Sequence, residues 1–362
     1  MSISATDLAT IVKRAATDAG FDLCGIASAA DSRELNYFPD WIAAGRAGDM
    51  KYMEARNDAG QLKRASLSRV APWARSVIVC AINYNTAHPY STQCHDASRG
   101  WISRYAWSRE DYHDAVLRRL KQIEAKLKET LSAESSGLIT RSYVDTGPIV
   151  ERVFAKYAGV GWIGKNTCII NQQKGSWLFL GVILTSLELQ PDLPAPDRCG
   201  TCTRCIEACP TDAIVAPYQL DSNKCISYLT IEKRGSIAND LREGMGRHVY
   251  GCDICQDVCP WNRKAPVTSA SEFEPRHGLV NPALDWLAEI SAEEFREKFR
   301  GSPIRRAKRS GLRRNAVIAI GNSRNPEFLS LLRKLTSDED EAVSQSARWA
   351  VDNFEPSDKS RM

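Results

Sequence analysis

Long apolar runs are what this chain of 362 residues lacks most plainly. No stretch approaches the roughly 20 apolar residues needed to cross a bilayer. Its most apolar segment, WLFLGVIL (177–184), has the length of a buried strand. Charge of one sign is also scarce: the net charge is +4, so any nucleic-acid surface must be local rather than global. The opening MSISATDLATIVKRAATDAGF has neither a continuous apolar core nor a cleavage site. It reads as an amphipathic helix rather than an export leader, which points to the cytoplasm. Twelve cysteines in such a chain speak for metal or redox chemistry rather than disulfides.

Eight of those cysteines fall between residues 199 and 259. The run CGTCTRCIEACP places Cys199, Cys202, Cys205 and Cys209 in the bacterial ferredoxin spacing, with Pro210 behind. A second run, CDICQDVCP, gives Cys252, Cys255 and Cys259 before Pro260 and lacks one upstream member, which Cys225 can supply. In the ferredoxin pattern the fourth cysteine of a run serves the other cluster. Cys199, Cys202, Cys205 and Cys259 are therefore assigned to one 4Fe–4S cluster, and Cys209, Cys225, Cys252 and Cys255 to a second. Paired structural zinc sites also use four thiolates, but the tight triple and the two Cys-Pro endings favour clusters. Cys24, Cys80, Cys94 and Cys168 need no special role on this reading, and Cys168 has no sequence neighbour that would activate it.

Residues 1–190 alternate strand and helix signals and read as an α/β domain. FDLCGIA (21–27), SVIVCAINY (76–84) and WLFLGVIL are strands, and 110–131 is a helix with Val116, Leu120, Ile123 and Leu127 on one face. The proline-rich LQPDLPAPDR (189–198) leads into a ferredoxin-like domain over 191–270. Residues 271–362 turn helical, with a helix start at Asn281–Pro282 and a capping box at Ser291 and Glu294. RRNAVIAIGN (313–322) and SQSARWAVDN (344–353) match at a period of 31 residues, as HEAT-like repeats do. Between them and the clusters runs IRRAKRSGLRR (304–314), with Arg305, Arg306, Lys308, Arg309, Arg313 and Arg314 and no acidic residue. It is either a solvated helix face or a grip for a phosphate backbone.

One further stretch, GVGWIGKNT (159–167), fits seven positions of the nucleotide-binding phosphate loop and then fails, because Asn166 stands where a hydroxyl should ligate magnesium. The preceding PIVERVFAKYA has helical spacing, so Gly159 reads as a helix stop and the segment as a glycine-rich turn for another ligand.

SRYAWSREDYH (103–113), VDTGPIVER (144–152), GVGWIGKNTCIIN (159–171), CISYLTIE (225–232) and YGCDICQDVCPWN (250–262), in that order, resemble the epoxyqueuosine reductases across nearly the whole chain. The resemblance implies a nitroreductase-like first domain holding base-off cobalamin, two 4Fe–4S clusters that feed it electrons from an external low-potential donor, and a helical tRNA-binding tail. It implies reduction of epoxyqueuosine to queuosine at the wobble position of tRNAs with GUN anticodons, by a monomeric enzyme that needs no membrane. Asp145 matches the family's proton donor; as a bare residue it could equally be a turn aspartate before Gly147–Pro148. Such a donor needs a raised pKa near neutral pH, most simply from burial. Arg56, Ser108, Asp145, Gly164, Lys165, Asn166, Ile169 and Ser227 match positions around the cofactor. His113 is not assigned as a cobalt ligand, since Val116 stands where the corrinoid signature D-x-H-x-x-G needs glycine. A reductive dehalogenase and a ferredoxin-type carrier are the competing readings; the first is typically exported, and the second has no use for an acid.

Overall fold

The computed structural model describes residues 4–131 and 137–354. The first helix, α1 (Ala5–Asp18), is capped by Ser4, whose hydroxyl accepts the Asp7 N–H at 3.1 Å. Leu8, Ala9, Val12, Ala15 and Ala16 face inward at three- and four-residue spacing. Beyond it, β1 (Leu23–Ser28), β2 (Ser76–Asn83), β3 (Thr140–Tyr143) and β4 (Leu178–Thr185) form one sheet. Its order is β1-β2-β4-β3 and every neighbouring pair is antiparallel. Helix α2 (Tyr112–Leu131) and α1 cover one face of this sheet, while the short α3 (Glu151–Tyr157) covers the other. All three strands read from the sequence are present, and Val116, Leu120, Ile123 and Leu127 are buried on α2. Gly181 permits that packing, because a Cβ there would lie 2.8 Å from Val116 and 2.9 Å from Leu120.

Helix α3 ends as the sequence indicates, with Gly159 at φ +72°. The chain then forms a small hairpin, Trp162–Ile163 against Ile169–Ile170, and no helix opens from its turn. The phosphate-loop fit is therefore accidental: the turn closes on itself through Gly164 N–H to Cys168 O and Thr167 N–H to Gly164 O, both at 2.8 Å.

The second cysteine run is fixed from within by Asp253. Its carboxylate, 1% exposed, accepts the Trp101 indole N–H at 3.0 Å, the Arg104 N–H at 2.8 Å and the Ser103 hydroxyl. Arg104 is itself buried and donates to the carbonyls of Thr86, His88 and Pro89, each at 3.0 Å. It also lies against the rings of Trp107 and Trp177, at 4.9 and 5.1 Å. The segment carrying Trp101 pairs in parallel with His248–Tyr250. It thereby joins a core shared with the C-terminal helices, where Ile102, Trp107 and Tyr250 pack with Leu312 and Ala316.

In that C-terminal part α4 (Lys308–Ser323) packs against α5 (Glu341–Phe354). Ala316, Ala319, Ala347 and Ala350 are wholly buried, and a Cβ at Gly321 would come within 2.8 Å of Ala350. Small residues at matching positions thus set how closely the two helices approach. The capping box at Ser291 and Glu294 is formed in both directions. The helix expected from Asn281–Pro282 starts slightly later, at Leu284, because Asn281 takes a left-handed φ of +53°. The end of the C-terminal stretch, 355–362, lies outside the described residues. No described helix is long and apolar enough to cross a membrane.

Asp253→Ala strands three buried donors, and the expected cost is roughly 3–5 kcal/mol. Denaturant titration against Asp212→Ala, an exposed aspartate beside the first run, checks this. Equal midpoints would show that Asp253 does not anchor the second run.

Candidate active site

A cavity of about 380 Å³ opens between the sheet, the hairpin and the cysteine-bearing segments. One wall is aromatic and apolar, built from Tyr105, Tyr112, Phe179 and Ile169. Tyr112 stacks on Phe179 with ring centroids 4.4 Å apart and planes within 3°. Cys209, Cys225, Cys252 and Cys255 also line it, with Ser227 among them, and so do the acidic residues Asp145 and Glu151.

The acidic corner is built around Asp145, which holds φ +58° in the loop between β3 and α3. Tyr112 donates its hydroxyl to Asp145 Oδ2 at 3.0 Å, and His113 Nε2 stands 3.8 Å from the same oxygen. On its other edge the imidazole meets Asp111 through Nδ1 at 2.7 Å. The Asp145 N–H donates to Glu151 Oε1 at 2.8 Å. The Asp145 side chain is 69% accessible and lines the cavity.

Protonation in this corner runs opposite to the sequence expectation. The adjacent His113 imidazole, outweighing burial and joined by the Tyr112 hydroxyl, holds the Asp145 carboxyl below its ordinary pKa. Burial alone would depress the His113 imidazole, yet its bonds to Asp111 and Asp145, and their charges, push it up to about 9. Burial and the Asp145 charge raise Glu151 to about 8. At neutral pH the protons therefore rest on His113 and Glu151 rather than on Asp145.

The cysteines of the two runs sort into two neighbourhoods. Burial first, then the charges of Cys199 and Cys202, raise Cys205; burial, then Cys199 and Cys205 among others, raise Cys259 to about 11. Cys252 is raised by burial and by Cys225 and Cys209, and Cys225 by burial and Cys209. Cys255 has Cys252 and Cys225 as neighbours. Among the described residues no three His, Cys, Asp or Glu groups are close enough to hold a single metal ion.

Comparison with known proteins places this architecture. A family model described as "Epoxyqueuosine reductase QueG, DUF1730" matches residues 64–146, and a "4Fe-4S double cluster binding domain" matches 198–262. The epoxyqueuosine reductase of Synechocystis sp. is 46% identical over 278 residues, covering 76% of this chain and 91% of the relative. That of Xanthomonas campestris pv. campestris is 38% identical, covering 96% of both. The chain belongs to the epoxyqueuosine reductase family. A solved epoxyqueuosine reductase bound to an epoxyqueuosine-modified tRNA stem loop superposes with a TM-score of 0.85 at 30% identity, covering 97% of this chain and 91% of that one. An epoxyqueuosine reductase from Bacillus subtilis, with the aspartate-bearing catalytic loop swung out of its active site, gives 0.84 at 29% identity with the same coverage.

Of the cofactor positions that the family resemblance suggested, Asp145, Asn166, Ile169 and Ser227 line the cavity. The others point elsewhere. Lys165 donates to the carbonyls of Gly200 and Cys202, at 2.7 and 2.9 Å, and so braces the first cysteine loop. Arg56 closes its own exposed turn by donating to Gly60 O at 2.7 Å. Ser108 is buried against Tyr105 O, and Gly164 is taken up by the turn, where a Cβ would strike Ile170. None of these four is among the cavity-lining residues.

The basic stretch needs a larger correction. Arg313 is buried and forks onto Asp338 at 3.1 and 2.5 Å; Arg314 is buried and donates to the carbonyls of Leu229, Lys233 and Gly235. Neither can reach a phosphate, because α4 is a central helix whose residues 311–321 are all enclosed. Arg309 donates to Ile290 O, and Arg306 is paired with Glu232. Arg305 and Lys308 are exposed.

Sequence reasoning passed over Tyr112, His113 and Glu151, although two of them sit in the quoted DYH and the third in VDTGPIVER. It also left Cys168 without a partner; Cys168 lines the cavity, and its bond with Cys255 lowers it to about 7.

The raised His113 pKa fixes the sign of a pH effect. Its contribution to stability is complete below the unfolded value of about 6.5 and is lost as pH rises through about 9. Thermal melts of wild type and His113→Gln should therefore differ most below pH 6.5 and converge above pH 9. A difference independent of pH would show that the imidazole is not held charged.

Proposed function

We propose that this chain is itself an epoxyqueuosine reductase, acting on an RNA whose anticodon loop delivers the modified nucleoside to the cavity. The observation that carries the reading is that one cavity is lined by Asp145, which is paired with His113 behind it, and by four cluster-type thiols. Reduction of an epoxide to an alkene consumes two electrons and two protons and releases water. The cavity supplies a side for each.

On the electron side, Cys199, Cys202, Cys205 and Cys259 hold one 4Fe–4S cluster, and Cys209, Cys225, Cys252 and Cys255 hold the second. The second set lines the cavity, so its cluster is the inner one; an external low-potential donor would load the outer one. The aromatic wall and the donors of Asn166 and Ser227 suit a flat, largely apolar corrinoid, and such a group would supply a low-potential metal centre at the epoxide. On the proton side, His113 stores a proton beside Asp145 while Asp111 orients the ring. As the epoxide oxygen gains charge, Asp145 passes that proton on and the imidazole becomes neutral; solvent reprotonates the pair, which then delivers the second proton that releases the oxygen as water. A lowered Asp145 pKa is no obstacle, because the pair carries the proton jointly.

The domain reading rests on the same parts: residues 1–190 as the cofactor domain, 191–270 as the two-cluster domain, and the C-terminal stretch as HEAT-like helices. RNA is gripped near Arg305 and Lys308, with Arg306 and Arg309 contributing less because their guanidinium groups are already engaged.

Anaerobically prepared protein should contain about eight irons per chain, two cubanes of four. Asp145→Asn should keep iron and RNA binding while turnover on an epoxyqueuosine-modified stem loop falls by about 10²-fold or more. About four irons, or near-normal turnover of the variant, would remove the corresponding half of the reading. Neutralising Arg305 and Lys308 together should flatten the salt dependence of stem-loop binding by about 0.7 log units per lost phosphate contact. An Arg313 variant, by contrast, should act through stability alone. An unchanged slope in the double variant would place the RNA elsewhere.

A further inference from the structure

Asp145 does not rest in its left-handed conformation unaided. An aspartate at φ +58° tolerates that region better than most residues but gains nothing from it, so neighbouring contacts must hold the loop. Two contacts on its backbone come from outside the loop. Arg64 donates to Gly147 O at 2.9 Å while its other nitrogen donates to Tyr52 O at 2.6 Å. Glu151, at the start of α3, accepts the Asp145 N–H itself at 2.8 Å. The Tyr112 hydrogen bond and the His113 ion pair reach only the carboxylate.

We propose that Glu151 is a positioning residue for the proton donor: its carboxyl oxygen latches the Asp145 backbone, fixing the left-handed turn that aims the Asp145 side chain at the cavity. This rests on the reading of Asp145 as the proton donor. Glu151 suits the task through reach rather than charge. Anchored on a helix, it spans back across six residues to the N–H of the very residue whose side chain must be aimed. The groups facing it are the Asp145 carboxylate, Arg152 on its own helix, His113 from α2, and Arg64. Nothing in that set requires Glu151 to be ionised, since a neutral carboxyl or an amide still offers a carbonyl oxygen to the N–H. In the Bacillus subtilis relative the aspartate-bearing catalytic loop is swung out of the active site.

Two substitutions separate reach from acidity. Glu151→Gln keeps the length and an acceptor oxygen but cannot transfer a proton. Glu151→Asp keeps the acid but withdraws it by one methylene. In the full-length, cluster-loaded enzyme, Glu151→Gln should keep kcat within about threefold of wild type. Glu151→Asp and Glu151→Ala should lose on the order of 10²-fold in kcat with KM for the stem loop little changed, the scale of a catalytic group misplaced by about 1 Å. Hydrogen exchange supplies a readout that needs no turnover. The peptide containing Asp145, Thr146 and Gly147 should exchange faster in the Asp and Ala variants and at the wild-type rate in the Gln variant. A Gln variant as inactive as Ala would overturn the proposal by making Glu151 a proton carrier, and an Asp variant equal to wild type would overturn it by removing the need for reach. If the Ala variant fails to fold, the Gln and Asp pair still decides. An active Asp145→Asn enzyme run alongside would refute the donor assignment itself and leave the exchange result to judge the latch.

Discussion

The buried carboxylate of Asp253 is the joint on which the arrangement turns. It stands between Cys252 and Cys255 and, among the described residues, receives its donors from the segment Trp101–Arg104, so the position of the second cysteine run is written into the packing of that segment. Arg104 extends the same joint outward by satisfying three carbonyls of the neighbouring loop. A buried charge of this kind is a poor source of net stability, because desolvation offsets most of what the bonds return. Its value lies in geometry: an apolar replacement could pack as well, but it would leave the cysteine run free to slide relative to the sheet.

That geometry matters because electrons and protons have to arrive at one place by separate routes. The thiols of the inner set and the Asp145 corner belong to segments far apart in the chain, yet they line a single cavity. The aromatic residues line the same cavity, with Tyr112 performing two tasks at once. Its ring stacks on Phe179 and its hydroxyl bonds Asp145. The wall therefore cannot shift without disturbing the acid.

Much of this was legible in the sequence, and the reasons differ by element. The three long strands and α2 declared themselves through apolar runs and helical periodicity, which depend only on neighbours in the chain. The cysteine spacing declared a cluster fold because thiolates bound to one cube must converge over short loops. The antiparallel order of the sheet was not legible, since strand pairing is settled by contacts between distant segments. Lys165 shows the same limit at a single residue: the glycine-rich turn was legible, but the direction of its lysine depended on where the Cys199–Cys202 loop would lie. The DYH tripeptide lacks the glycine of a corrinoid signature, and nothing beside it in the chain gives it another task. Its role becomes visible only when the β3–α3 loop brings Asp145 to the imidazole.

The basic stretch teaches a sharper lesson about reading charge. A run of arginines without acids invites an electrostatic interpretation, because the eye sums charges along the chain. The fold sums them in space instead. Asp338 answers Arg313 from 25 residues away, Glu232 answers Arg306 from 74, and three backbone carbonyls answer Arg314. A guanidinium with its fan of donors is well suited to collecting such stray acceptors at a junction of segments, which a lysine could do for only a few. In this chain four of the six basic side chains are therefore mortar: Arg306 and Arg314 tie the helical tail to residues 229–235, and Arg309 and Arg313 bind within the tail. Arg305 and Lys308 are left exposed beside it.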